Sequence, residues 1–81
     1  MLSVEENVYS IIRDVANLSN IDNVSRSTDL KNIGCSSLEI MTIIFRIEED
    51  YNIEFDDEIF EKHISNVGYF ISYIERVMYN E

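Results

Sequence analysis

Apolar residues recur at helical spacing in most of the chain and thin out to single positions in one long stretch. Val4, Val8, Ile11, Ile12 and Val15 follow the three-to-four-residue rhythm of one helix face, behind a capping box at Ser3-Val4-Glu5-Glu6. This pattern predicts a helix from about Val4 to Ala16. From Asn17 to Ser36 the rhythm disappears. Asn, Ser, Thr and Asp dominate there, with Leu18, Ile21, Val24, Leu30 and Ile33 spaced singly, which reads as a long loop pinned to a core by isolated apolar anchors. The rhythm returns over about Ser37 to Tyr51. Turning about 100° per residue, Ile40, Ile43, Ile44, Ile47 and Tyr51 share one arc wide enough to bury against other helices. Asp56, Asp57 and Glu58 then supply the cap and first turn of a short helix carrying Ile59, Phe60 and Ile64. A last helix starts near Ser65 or Asn66 and presents Val67, Phe70, Ile71, Ile74, Val77 and Met78 at helical spacing. The expected architecture is all-α: a four-helix bundle in a single domain over residues 1–81, with a long loop between helices one and two and a short third helix.

Two features of the second helix go beyond what folding requires. Leu38, Met41 and Phe45 form a second apolar arc, well separated from the core stripe and flanked by Glu48 on one side and by Thr42 and Glu49 on the other. In a generic bundle such an arc packs under a loop. The helix also opens on Gly34-Cys35-Ser36-Ser37-Leu38-Glu39. Ser36 reads as the N-cap, closing a capping box with Glu39, and Ser37 as the first helical residue with its hydroxyl outward. Free backbone N–H groups and the positive end of the helix dipole accommodate a phosphate ester at such a place.

Composition narrows the function. The chain has 81 residues, enough for one core but not for a core plus a deep substrate cavity. Sixteen Asp and Glu against six Lys and Arg give a formal charge of −10, which sets nucleic acid and anionic membranes aside and favours partners with basic patches. Between Glu48 and Glu61, eight of fourteen residues are acidic and none is basic. A run of this kind is most often a solvated face. It lacks the alternating carboxylates and central glycine of an EF-hand loop, so no metal site is expected. One cysteine cannot form an intrachain disulfide, no leader of secretory type opens the chain, and no apolar run nears the roughly 18 residues of a membrane span. The expectation is a cytoplasmic location. Cys35 lacks an evident activating base and is expected to be small and half-buried. His63 is expected at the surface or core edge, and Tyr69, Tyr73 and Tyr79 to pack with their hydroxyls in water.

Asp29-Leu30-Lys31-Asn32-Ile33-Gly34-Cys35-Ser36-Ser37-Leu38-Glu39, followed by Ile43, Ile44, Ile47-Glu48-Glu49-Asp50-Tyr51 and Ile53-Glu54-Phe55-Asp56-Asp57-Glu58, resembles the acyl carrier proteins over nearly the whole chain. In that family an Asp-Ser-Leu motif carries 4′-phosphopantetheine on its serine, and an acidic second helix follows. The resemblance implies the same four-helix bundle, no catalysis by the protein itself, and Ser37 as the attachment residue. It maps the family's partner-facing acids onto Glu48, Glu49, Asp57 and Glu61. Leu38, Met41 and Phe45 then become the apolar part of a docking face, with Leu38 shared between loop packing and partner contact. The implied partners are a phosphopantetheinyl transferase and acyl-loading and acyl-accepting enzymes with basic docking patches, meeting a monomeric carrier.

Three positions depart from the family pattern. Ser36 stands where the motif has Asp, which keeps a capping side chain but removes a negative charge beside the hydroxyl to be modified, so a dedicated or tolerant transferase is implied. Thr42 replaces an acidic residue, with Arg46 one turn later, and together they weaken the negative rim. Asp56 stands where many relatives carry proline. These departures point toward a specialised fatty-acid or polyketide-like pathway. They leave open an aminoacyl carrier of nonribosomal synthesis and a carrier-like docking module that is never loaded.

Overall fold

The computed structural model describes residues 3–16 and 24–79. It contains four helices in the order α1 (Val4–Ala16), α2 (Ser37–Tyr51), α3 (Glu58–Glu61) and α4 (Val67–Tyr79), with no strand among the described residues. Each of the longer helices starts for a local reason. The Glu6 N–H donates to Ser3 Oγ at 3.1 Å ahead of α1, and the Tyr69 N–H donates to Asn66 Oδ1 at 3.0 Å ahead of α4. Asn66 is thus the cap of the last helix. The short α3 has no such device: Asp57 holds the cap position with a helical backbone and no side-chain capping bond. The C-terminus of α2 is closed by Asn52 in the left-handed region at φ 54, its N–H returning to the Glu48 carbonyl.

The stripes read from spacing make the core. Val8, Ile11, Ile12 and Ala16 of α1 meet Ile40, Ile43, Ile44 and Ile47 of α2 and Val67, Phe70, Ile71, Tyr73 and Ile74 of α4, and α1 packs against both longer partners. Phe55, from the segment after α2, stands edge-on to Phe70 at 5.8 Å and tilted against Tyr73 at 4.8 Å, closing the bundle end. The aromatic cluster corrects one expectation. Tyr73 is buried, and its hydroxyl donates to the Glu54 carbonyl at 2.9 Å rather than to water; burial holds the phenol above the ordinary tyrosine range. Met78, placed in the α4 stripe by periodicity, is instead exposed.

The segment ahead of α2 is held by more than apolar anchors. Leu30 is fully buried, as an anchor should be, whereas Ile33 faces solvent; Leu18 and Ile21 lie outside the described residues. Backbone bonds add the rest. Leu30 N–H donates to the Ser65 carbonyl, Val67 N–H to Thr28 and Gly68 N–H to Arg26, each at 2.9 Å, so residues 26–30 run antiparallel to the entry of α4. Arg26 extends the seam by donating to Glu5 of α1 and Glu75 of α4. These contacts fix the height at which the chain enters α2.

Candidate functional site

The turn that delivers the chain to α2 is tight. Gly34 lies at φ 97, where a side chain would be strained, and its N–H returns to the Lys31 carbonyl. Cys35 follows, buried, with its N–H on the Leu30 carbonyl. Burial, with Glu39 adding to it, raises the thiol's proton affinity, which suits packing and disfavours a thiolate nucleophile. The cysteine is more deeply buried than the half-exposure expected of it.

Ser36 then caps the helix in extended backbone: its Oγ accepts from the Glu39 N–H at 3.1 Å, while Glu39 Oε1 accepts from the Ser36 N–H at 2.8 Å. The capping box commits Ser36 and Glu39 to each other and fixes the first turn. Ser37, one residue on, is exposed, and its hydroxyl enters no hydrogen bond among the described residues. A free hydroxyl on a rigid helix start is thereby offered to solvent.

Beside it lies an apolar cleft of about 350 Å³ between α2 and the α3 segment. Ile40, Ile44 and Ile59 are buried and form its inner wall, and Met41 and Phe60 stand at its exposed edge. Ser37, Lys31 and His63 supply the polar part of the rim. Among the described residues no group of three His, Cys, Asp or Glu side chains is placed to hold a metal ion.

The second arc of α2 is solvent-facing. Leu38 is 74% exposed, Met41 41% and Phe45 50%, so Leu38 contributes little to loop packing. Phe60 of α3 joins them, its ring 6.2 Å from that of Phe45. Spacing places Ile59, Phe60 and Ile64 on the short helix without separating its faces, because one turn is too short for periodicity to discriminate them. Glu49, Asp57 and Glu61 are exposed around this strip, whereas Glu48 is half-buried and accepts the Phe55 N–H at 2.9 Å. Thr42 turns its hydroxyl back to the Leu38 carbonyl, and Arg46 pairs with Asp14 of α1. Lys31 and His63 do not stand out in the sequence as neighbours of Ser37, because nothing in a loop's spacing says where it returns. Arg26 escapes sequence reasoning for the same reason.

The structure is thus a small helical bundle that presents an unengaged serine hydroxyl at the head of one helix, beside an apolar cleft and an exposed apolar strip. The family described as a phosphopantetheine attachment site matches residues 6–74. The chain is 32% identical over 74 residues to an acyl carrier protein of Helicobacter pylori, covering 91% of this chain and 94% of that one. It is 35% identical over 72 residues to an acyl carrier protein of Clostridium acetobutylicum, covering 89% and 92%, and 32% identical over 75 residues to one of Akkermansia muciniphila, covering 93% and 92%. The chain belongs to the acyl carrier protein family of phosphopantetheine-binding proteins, and its cofactor is covalent 4′-phosphopantetheine. No helix among the described residues is long and apolar enough to cross a membrane.

Proposed function

We propose that Ser37 carries the phosphopantetheine arm and that the protein moves acyl groups, bound as thioesters, between partner enzymes. The observation that supports this most directly is the contrast between two adjacent serines. Ser36 spends its hydroxyl on the Glu39 N–H, and Ser37 keeps its own exposed and unengaged. The residues present fit the group: an accessible oxygen accepts a phosphate ester, the helix start favours the negative charge, and the neighbouring cleft is apolar. Bound there, the arm supplies a terminal thiol for the thioester. The chain's own part is to hold the attachment oxygen still, shield apolar cargo and present a docking face.

That face comprises Leu38, Met41 and Phe45, with Glu48, Glu49, Asp57 and Glu61 as its acidic residues. Its apolar strip supplies contact area and the acids select basic partners, namely a phosphopantetheinyl transferase and the enzymes that load and accept the acyl group. Arg46 pairs with Asp14 of α1, and Glu49 stays exposed on the open face. With Ser36 and Thr42 in place of acids, the partner set is that of a specialised fatty-acid or polyketide-like pathway, served by a monomeric, cytoplasmic domain spanning residues 1–81.

Intact-protein mass spectrometry after coexpression with the host's transferases tests the proposal. The native chain and Ser36→Ala are expected to gain the mass of the arm and Ser37→Ala to stay unmodified. If native chain and Ser37→Ala have the same unmodified mass in the producing cell, the carrier reading is abandoned in favour of an unloaded docking module. The mass of the thioester on native protein tells acyl from aminoacyl cargo.

A further inference from the structure

Most cations of this acidic chain are already spoken for. Arg26 pairs with Glu5 and Glu75, Arg46 with Asp14 and Lys62 with Glu58, and the Arg76 guanidinium lies over the Tyr73 ring at 5.1 Å. Lys31 is different. It is exposed, it makes no ion pair with a carboxylate among the described residues, and its Nζ donates instead to the main-chain carbonyl of His63 at 3.0 Å. That bond joins the loop before α2 to the turn after α3. Lys31, His63 and Ser37 line one and the same cleft, so the ammonium, held on the His63 carbonyl, and the serine belong to the polar part of one otherwise apolar rim.

The carbonyl uses one of the three ammonium N–H donors and leaves two. Asp29 lies near enough for Lys31 to help keep its carboxyl low, but its Oδ1 accepts from Ser65 and from the Lys31 main-chain N–H, and the ammonium itself makes no ion pair with it. Glu39 is occupied by the Ser36 N–H. An ammonium with spare donors, tethered on the rim of the cleft that the hydroxyl also lines, is the complement of an anion attached to that hydroxyl. A flexible lysine stem tolerates a mobile phosphate better than a fixed guanidinium fork does.

We infer that Lys31 is a positioning residue for the arm: its ammonium, steadied by the His63 carbonyl, holds the phosphodiester on Ser37 at the cleft rim. This directs the arm along the apolar wall of Ile40, Ile44 and Ile59 instead of leaving it free in solvent. The inference rests on Ser37 being the attachment residue, and it adds a determinant outside the docking strip.

Phosphorus-31 NMR of the loaded protein tests it, with intact mass establishing that each sample carries the arm. In the native protein the phosphorus resonance should be displaced and broadened relative to free 4′-phosphopantetheine. Lys31→Met should move it toward the free position and sharpen it, and Lys31→Arg should restore part of the displacement. Lys62→Met, which removes a cation outside the cleft, should leave it unchanged. His63→Asn should also leave it unchanged, because the contact is to the main chain and Asn tolerates the left-handed φ of 52 found there. A loaded Lys31→Met protein with the native resonance overturns the inference while leaving Ser37 as the attachment residue. A native chain that never gains the arm overturns both. Thermal melts of the unloaded variants report whether any loss is one of folding.

Discussion

The carboxylate of Asp29 accepts the hydroxyl of Ser65, the buried polar residue of the described core, and joins the loop before α2 to the entry of α4. The same Asp29 oxygen accepts the Lys31 N–H at 3.0 Å, and the Asp29 carbonyl accepts from Asn32 and Ile33. One residue therefore folds its own turn and fastens that turn to the last helix. The position of Ser37 depends on this seam, since only a short, tightly turned segment separates Asp29 from the start of α2.

The Ser65 hydrogen bond is the chief reason the Asp29 carboxyl sits below the ordinary carboxylate range, with the Lys31 contacts adding to it. A group whose folded-state value is depressed stabilises the fold above its unfolded value, and loses that contribution as pH falls through the folded value. Asp29→Asn is expected to be less stable than the native chain at neutral pH and to show a flatter acid limb. Ser65→Ala should cost about 1–2 kcal/mol by leaving the carboxylate short of a donor. Denaturant titrations across the acid range check both, and parallel acid limbs for the native chain and the Asp29→Asn variant would refute the assignment.

Gly68 is needed for close approach. Its N–H donates to the Arg26 carbonyl at 2.9 Å, and a Cβ at this position would stand 2.6 Å from that same backbone oxygen. Neither partner can retreat without breaking the seam. Gly68→Ala is expected to destabilise the protein by about 1–3 kcal/mol, whereas Ser72→Ala, exposed on the same helix, should stay within about 0.5 kcal/mol of native. Urea midpoints measure the difference.

The two arcs of α2 should separate stability from recognition. Ile47 is fully buried, and Ile47→Ala is expected to cost about 2–5 kcal/mol. Phe45 is already half in water, so Phe45→Ala should cost about 1 kcal/mol or less. If the strip is the docking face, Phe45→Ala and Met41→Ala should weaken binding to the transferase at nearly native stability, as read by calorimetry and melting. Unchanged affinity in both variants would move docking elsewhere.

Salt acts in two opposite senses on this chain. It screens the pairs of Arg26, Arg46 and Lys62, and it screens repulsion among sixteen acids that only six Lys and Arg offset. With a formal charge of −10 the repulsion outweighs the pairs. Tm is expected to rise with sodium chloride and further with magnesium, and Asp57→Asn should raise it at low salt. A Tm indifferent to ionic strength would contradict this balance.

The bounds of α1 and α2 were legible because thirteen- and fifteen-residue helices repeat their apolar stripe several times and open on a Ser-x-x-Glu pattern, which caps α1 through Ser3 and closes as a full capping box at Ser36. Ser37 was legible as a candidate for the same reason: a cap fixes which serine is spent and which is left over. Phe60 and Tyr73 were not. The first sits on a single turn, where both faces look alike, and the second satisfies its hydroxyl on a carbonyl nineteen residues away.

Local spacing was enough to set the helices, the acidic charge and the serine at the head of α2, because each depends on residues within a turn or two of one another. The cleft beside Ser37, the seam through Arg26, Asp29, Ser65 and Gly68, and the lysine held by a carbonyl thirty-two residues onward came from the packed chain alone. Those contacts depend on where a loop without periodicity comes back to the bundle. That is settled by shape and by backbone hydrogen bonds, which leave no repeating mark in the order of residues.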